Sequence, residues 1–107
     1  MQSLEIVPRL LPEVRSGRKQ HTIRWRERNV VPGPMLYVNS ENSCDTLVVW
    51  VTQVETMPLR SVARYLNRTG EWPDPVLLEG MREHYPEINL DSEVEVIHHF
   101  TPGSRQS

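Results

Sequence analysis

Residues 46–54 read TLVVWVTQV, and this stretch gives the strongest indication of the fold. It is rich in β-branched side chains, which fit the pleated surface of a sheet better than the crowded surface of a helix. Its apolar character is nearly continuous, which is typical of a strand that lies in the interior of a sheet with a strand on each side. We therefore predict that residues 46–54 form the longest strand and lie at the centre of the sheet.

Shorter patterns on both sides of this segment predict the remaining elements. Period-two alternation and short apolar runs predict four more strands, at 4–7, 20–26, 35–38 and 93–100. Apolar residues at helical spacing predict helices at 11–16, at 58–66 and at 76–85, and Gly17 suits the C-terminal cap of the first. Polar stretches and stretches rich in Pro or Gly predict loops at 39–45 and 67–75.

The order of these elements predicts the fold class. A strand and a short helix come first, followed by three strands, two helices and a final strand, without the βαβ repetition of a parallel sheet. A chain of 107 residues suits one hydrophobic core. We predict an α+β protein, a small mixed β-barrel with two to three flanking helices, in one domain over residues 1–100. Residues 101–107 are predicted to be a disordered tail.

The composition argues against several classes of protein. No run approaches the roughly 20 apolar residues of a membrane helix, and the first residues do not resemble a signal peptide, so we expect a cytoplasmic protein without membrane contact. Cys44 is the only cysteine, which excludes an internal disulfide and a multi-cysteine zinc site. No acidic or cysteine residue joins the histidines at the spacing of metal ligands, so we expect no metal and no other cofactor.

Charge is distributed unevenly along the chain. Residues 15–28 contain six of the twelve Lys and Arg residues and one acid, Glu27, which gives this basic segment a charge of +5. The rest of the chain carries −7, so the net charge of −2 hides the asymmetry. The basic segment indicates an anionic partner at one face, or alternatively a solvated strand whose arginines pair with acids elsewhere.

Lys19 is the only lysine in a chain that has eleven arginines. Arginine can replace lysine where only charge is needed, but it does not lose its proton near neutral pH, so a single lysine suits a role that requires a titratable amine. Such an amine could take the proton of the Thr22 hydroxyl, and Arg24 could hold a phosphate or an oxyanion. The ordinary alternatives are chance retention of Lys19, a strand-forming Thr22 and a salt bridge at Arg24.

The pattern Gly17-Arg18-Lys19, followed after two residues by Thr22-Ile23-Arg24, resembles the ASCH domain, a relative of the PUA-like RNA-binding barrels. The likeness extends over about residues 4–100 and is strongest in this motif. It implies a PUA-like β-barrel whose basic pocket binds a modified nucleoside or RNA.

Some small bacterial ASCH proteins are amidohydrolases that deacetylate acetylcytidine with a lysine, a threonine and a glutamate. By this resemblance Lys19 and Thr22 match the first two, and Glu71 is the candidate for the third, with Glu79 as its competitor. The implied mechanism has Lys19 take the proton of Thr22, Thr22 attack the acyl carbon, and Glu71 orient the lysine or protonate the leaving amine. Direct attack by an activated water is equally compatible with these residues.

Other residues near the motif are candidates for binding the ligand. Arg18, Arg24 and Arg26 are expected to contact substrate or RNA, and Trp72, in a predicted loop, is expected to stack on a base. Competing interpretations are a non-catalytic RNA-binding module and a ribonuclease that uses the same pocket. In each case we expect a monomer or a weak dimer.

Overall fold

The computed structural model describes residues 1–27 and 29–103, and within them it has the α+β composition that the sequence predicts. The strands are β1 Gln2–Ile6, β2 His21–Arg24, β3 Gly33–Asn39, β4 Asn42–Pro58 and β5 Glu93–Phe100. The helices are α1 Leu11–Arg15, which follows a short 3-10 helix at Pro8–Leu10, α2 Leu59–Tyr65 and α3 Asp74–Arg82. No helix of this described chain is long and apolar enough to cross a membrane.

The strands form a mixed sheet with β4 in the middle. Their hydrogen-bonded order is β1-β3-β4-β5-β2. β1 runs parallel to β3, with Leu4 opposite Tyr37, whereas β3 runs antiparallel to β4, with Met35 opposite Val49. The central position predicted for residues 46–54 is therefore confirmed.

The burial of β4 differs from what its continuous apolar character suggests. Val49 and Val51 are completely buried, whereas Val48 and Trp50 are 42% and 45% exposed. Successive side chains on a strand point to opposite faces, so these four residues describe one covered face and one open face. Hydrophobicity along the strand thus located β4 but overstated how much of it is enclosed.

The turn between β3 and β4 is much shorter than the predicted loop at 39–45. Only Ser40 and Glu41 form the turn, and β4 begins at Asn42. Asn39 accounts for the difference, because its Oδ1 accepts a hydrogen bond from the Glu41 N–H at 2.8 Å and its Nδ2 donates to Asp45 at 3.1 Å. Asparagine side chains that bond to turn backbone in this way favour a tight hairpin over an open loop.

Glycine and proline mark the ends of two helices. Gly17, predicted to cap α1, has a φ of +86°, and its N–H donates to the Val14 carbonyl at 3.0 Å, which confirms the prediction. Pro75, predicted as part of a loop, instead lies in the first turn of α3. Proline is tolerated there because the first N–H groups of a helix have no partner within the helix. The helix consequently begins at Asp74, before the predicted start.

Contacts between Cα atoms group the described chain into two units, each with its own buried cluster. The first unit comprises residues 1–22, 29–54 and 97–103, and the second comprises residues 23–27 and 55–96. The first cluster contains Leu4, Ile6, Leu11, Val14, Val30, Met35, Tyr37, Val49, Val51 and Ile97. The second contains Leu59, Val62, Ala63, Leu77, Met81, Ile88, Val94 and Val96. The single domain over residues 1–100 stays a prediction.

β5 has the predicted bounds but not the predicted alternation. Val96 and Ile97 are adjacent in the sequence and both are completely buried, while Phe100 is 44% exposed. Val96 belongs to the second cluster and Ile97 to the first, so a strict period of two does not hold along the whole strand.

Thr101 is held in the folded part of the described chain, although the sequence places it in the disordered tail. Thr101 is buried, and its hydroxyl donates a hydrogen bond of 2.6 Å to the Val14 carbonyl. The prediction is therefore wrong for Thr101, because a polar tail sequence can still supply a side chain that satisfies a buried backbone group. Residues 104–107 lie outside the described residues.

Candidate functional site

The connection from α1 to β2 carries Lys19 on a well-anchored main chain. The Lys19 N–H donates to the Glu13 carbonyl at 3.0 Å, and the His99 N–H donates to the Gln20 carbonyl at 2.9 Å. The Gln20 side chain also donates to the Gly17 carbonyl at 3.1 Å. This connection is neither helix nor strand, but its backbone is hydrogen-bonded at Lys19 and at Gln20. These bonds fix the position of the Lys19 backbone, from which the side chain extends.

Burial differs sharply among the predicted site residues of this connection. Arg18 is exposed, with 74% of its side chain accessible, and its Nε lies 2.7 Å from Glu13 Oε2. Lys19 is half-buried, and Thr22 in β2 is only 6% exposed. Lys19 and Thr22 belong to the first unit and are both more shielded from water than Arg18.

A buried polar pair in the first unit was not found from the sequence. Tyr37 Oη and His99 Nε2 are 2.8 Å apart, and the two rings meet edge to face with centroids 5.3 Å apart. Both residues are almost completely buried. The two are 62 positions apart in the chain, so no local pattern could have paired them.

Arg24, predicted to bind an anion from the ligand, forms an ion pair with Glu27. Its Nη1 lies 3.3 Å from Glu27 Oε2, and the Arg24 side chain is only 14% exposed. The Tyr85 hydroxyl donates to the same carboxylate oxygen. The salt bridge that the sequence left open as an alternative for Arg24 is therefore present.

The environment of Tyr85 raises the pKa of its phenol to about 12. Burial is the main cause, followed by the hydrogen bond to Glu27 and the negative charge of that carboxylate; Arg24 and a backbone hydrogen bond from Trp25 act in the opposite direction. At neutral pH the phenol is protonated, so it can serve as a hydrogen-bond donor to Glu27.

β2 ends at Arg24, and the chain bends at residues 25–27. Arg26 has a φ of +58°, in the left-handed region that side chains other than glycine seldom adopt. Its guanidinium carbon lies 4.4 Å from the centroid of the Trp25 ring, a cation–π contact. The predicted strand 20–26 is wrong at this end, because a residue with positive φ cannot continue the extended alternation that would put Arg26 on the face of Arg24.

The bend lines an open cleft of about 320 Å³ in the second unit. The Trp25 ring meets the Tyr85 ring edge to face, with centroids 6.0 Å apart. The lining residues are Trp25, Arg26, Glu27, His84, Tyr85, Pro86 and Glu87. Of these, only Arg26 was selected from the sequence as a binding residue. Glu27 could have been selected from the sequence, because it is the single acid of the basic segment.

Glu71 and Trp72 lie in the chain between α2 and α3. Glu71 is exposed, and its Oε2 lies 3.2 Å from Arg68 Nη1. Trp72 is half-buried and packs against the second cluster, so its ring is less available for stacking than a loop position suggests. The competitor Glu79 is exposed on α3. Within residues 1–27 and 29–103, no group of three or more His, Cys, Asp or Glu residues could hold a metal ion.

Comparison with known proteins adds to the description of the fold. No family model matches the chain, and no curated protein matches it. Its structure is similar to the crystal structure of protein EF3133 from Enterococcus faecalis, described under the family DUF984, with a TM-score of 0.61 and 15% sequence identity. The match covers 92% of this chain and 75% of that chain. At this identity the likeness shows a shared fold and says nothing about activity.

Proposed function

We propose that this protein binds a nucleoside or RNA through the basic segment and removes the acyl group of N(4)-acetylcytidine or a related modified nucleoside in the cytoplasm. One observation carries the proposal: the only lysine is half-buried beside the strand that holds a buried Thr22, whereas the neighbouring Arg18 is exposed. Surface charge does not need a shielded position, but an amine that must shed its proton benefits from one.

The resemblance of residues 17–24 to ASCH domains supports the same assignment. The mixed five-stranded sheet is compatible with a PUA-like barrel, which we include in the proposal. The resemblance also supplies the reaction class, because the lysine and threonine positions of the family motif are both occupied here by Lys19 and Thr22.

In the proposed reaction, the Lys19 amine takes the proton of the Thr22 hydroxyl, and the hydroxyl oxygen bonds to the acyl carbon. The amide C–N bond then breaks, and the leaving amine receives a proton from the Lys19 ammonium. Water hydrolyses the acyl-threonine, which releases the carboxylic acid and restores the hydroxyl. In the alternative route Lys19 activates a water that attacks the acyl carbon directly.

The test is incubation of the purified protein with free acetylcytidine and, separately, with RNA that contains it, followed by chromatography of the nucleosides. We expect release of cytidine and acetate, and loss of turnover in Lys19→Ala and in Lys19→Arg, since arginine keeps the charge but cannot act as a base near neutral pH. Arg64→Ala, an exposed position on α2, is the control and should keep full turnover. Turnover by Lys19→Arg at the wild-type rate would contradict the proposal.

Two substitutions at Thr22 separate the two routes. Thr22→Ser keeps a hydroxyl and Thr22→Val keeps the shape but has none. If Thr22 is the nucleophile, the serine variant retains turnover and the valine variant loses it. If water attacks directly, the valine variant retains measurable turnover.

Binding of RNA without chemistry is the second candidate function, and the Arg26–Trp25 stack favours it. An exposed guanidinium held over an aromatic ring is a surface on which unpaired bases stack. Micromolar, salt-sensitive binding of RNA combined with no turnover of acetylcytidine would establish this second function in place of the first.

A further inference from the structure

The carboxylate of Glu27 is fixed in position by contacts to one of its two oxygens. Arg24 Nη1 and the Tyr85 hydroxyl both approach Oε2. Oε1 takes part in neither contact, and Glu27 forms part of the wall of the cleft with 31% of its side chain exposed. A carboxylate oxygen accepts hydrogen bonds only, so the cleft offers an acceptor of fixed orientation.

The other walls of the cleft suit a flat ligand. The guanidinium of Arg26 is stacked on Trp25, and unpaired bases stack on arginine planes as well as on aromatic rings. Tyr85 and His84 add two more rings to the lining. The volume of about 320 Å³ lies at the lower end of the range for small-ligand pockets, roughly 300–1,000 Å³, which suits one base rather than a helix.

The left-handed backbone of Arg26 is a further indication that this bend is a binding feature. Left-handed backbone conformations of residues other than glycine cost free energy, and they persist only where surrounding contacts hold them in place. They are concentrated at functional sites, and Arg26 is one such residue. Here the unusual conformation lies between the stacked Trp25 and the bonded Glu27, so it positions both.

The charges around the cleft favour an uncharged ligand. Arg24 and Arg26 disfavour a cation, while Glu27 and Glu87 disfavour a phosphate. An uncharged planar ligand that bonds to Glu27 must present a hydrogen-bond donor. The exocyclic amino groups of cytosine, adenine and guanine are such donors, whereas uracil has a carbonyl oxygen in place of the cytosine amino group and donates only from its ring N–H.

We propose that this cleft is a separate subsite for one unpaired nucleobase that bears an exocyclic amino group, with Arg26 as the stacking surface and Glu27 Oε1 as the acceptor. The inference rests on the proposed function in that the ligand is nucleic acid, but it does not require catalysis by Lys19.

The experiment compares fluorescently labelled oligocytidine and oligouridine hexanucleotides by fluorescence anisotropy at fixed salt. The two oligomers have the same charge and the same size of base. A difference in Kd therefore measures the effect of the hydrogen-bonding groups in which cytosine and uracil differ. We expect the cytidine oligomer to bind about five- to tenfold tighter, the size expected for one hydrogen bond to a charged acceptor at a half-exposed site. Glu27→Gln should reduce the ratio to about one, because an amide can also donate to uracil.

A matched variant shows whether the effect belongs to Glu27. Glu83→Gln removes a carboxylate of the same unit that does not line the cleft, so it should leave the ratio unchanged. If Glu83→Gln loses the preference as completely as Glu27→Gln does, the loss of negative charge from this unit rather than the Glu27 carboxylate is responsible and the proposal is wrong.

The outcomes distinguish this subsite from the proposed function. Equal affinity of the wild-type protein for the two oligomers would overturn the subsite, while turnover of acetylcytidine would leave the proposed function intact. Binding of neither oligomer, together with no turnover, would overturn both.

Discussion

Replacing Tyr85 by phenylalanine should lower the free energy of unfolding by about 1–2 kcal/mol at pH 8, because the Glu27 carboxylate loses a hydrogen-bond donor. The pKa of this phenol rises from its ordinary value of 10.0 to about 12 in the folded protein. At about 1.36 kcal/mol for each pKa unit this rise corresponds to roughly 2.7 kcal/mol between the two protonation states. Burial is the largest cause and the ring is only partly covered, so the hydrogen bond accounts for less than that total.

The same pKa sets the pH at which the difference between the two proteins should change. A folded pKa above the unfolded one means that the stabilisation is fully present below pH 10 and is lost as pH rises from 10 towards 12, since the unfolded chain loses the phenol proton first. The phenylalanine variant has no such proton. The gap in unfolding free energy between wild type and Tyr85→Phe should therefore shrink between pH 10 and pH 11.

Urea denaturation followed by tryptophan fluorescence, at pH 8, 9, 10 and 11, measures this gap. Subtracting the variant from the wild type cancels the titration of all other groups. Tyr65→Phe is the matched control, since Tyr65 is 43% exposed, and its gap should be smaller at pH 8. The reasoning is refuted if Tyr85→Phe is as stable as wild type at pH 8, or if the gap widens above pH 10.

Two further predictions concern stability. Thr101→Val should cost about 1–2 kcal/mol in urea denaturation, because it removes the buried hydroxyl that bonds to the Val14 carbonyl; wild-type stability would show that the carbonyl finds another partner. Val49→Ala should cost about 2–3 kcal/mol and the neighbouring Val48→Ala less than about 0.5 kcal/mol, because the first side chain is completely buried and the second is 42% exposed; equal losses in thermal denaturation would contradict the assigned face of β4.

The sequence predicted elements best where the pattern and the packing agree. Residues 46–54 were correctly placed at the centre of the sheet, and β5 was given its observed bounds at 93–100. Gly17 was correctly assigned as a helix cap, since a positive φ is a local requirement that glycine satisfies. The predicted alternation of buried and exposed side chains is wrong in β5 at Val96 and Ile97, which are both buried. Val96 packs in the second cluster and Ile97 in the first, and the sequence does not show which cluster covers which side chain.

For the candidate site, the sequence supplied the unusual residues but not their partners. Lys19 could be selected because it is the only lysine, and Glu27 stood out as the only acid among six bases. That Arg24 and Tyr85 bond to the same oxygen of Glu27 could not be predicted, because Tyr85 is 58 positions from Glu27. The roles of Lys19, Thr22 and Glu71 stay predictions.

By itself the sequence determined the α+β class, the positions of most strands and helices, and a basic segment in which a lone lysine precedes a threonine. These follow from local properties: side-chain periodicity, backbone preferences and charge along the chain. The tertiary structure alone decided which face of β4 is covered, that Thr101 belongs to the folded protein, and that a bend at Arg26 makes a cleft with Tyr85. Each of these depends on contacts between residues far apart in the chain, and such contacts are fixed only when the elements pack together.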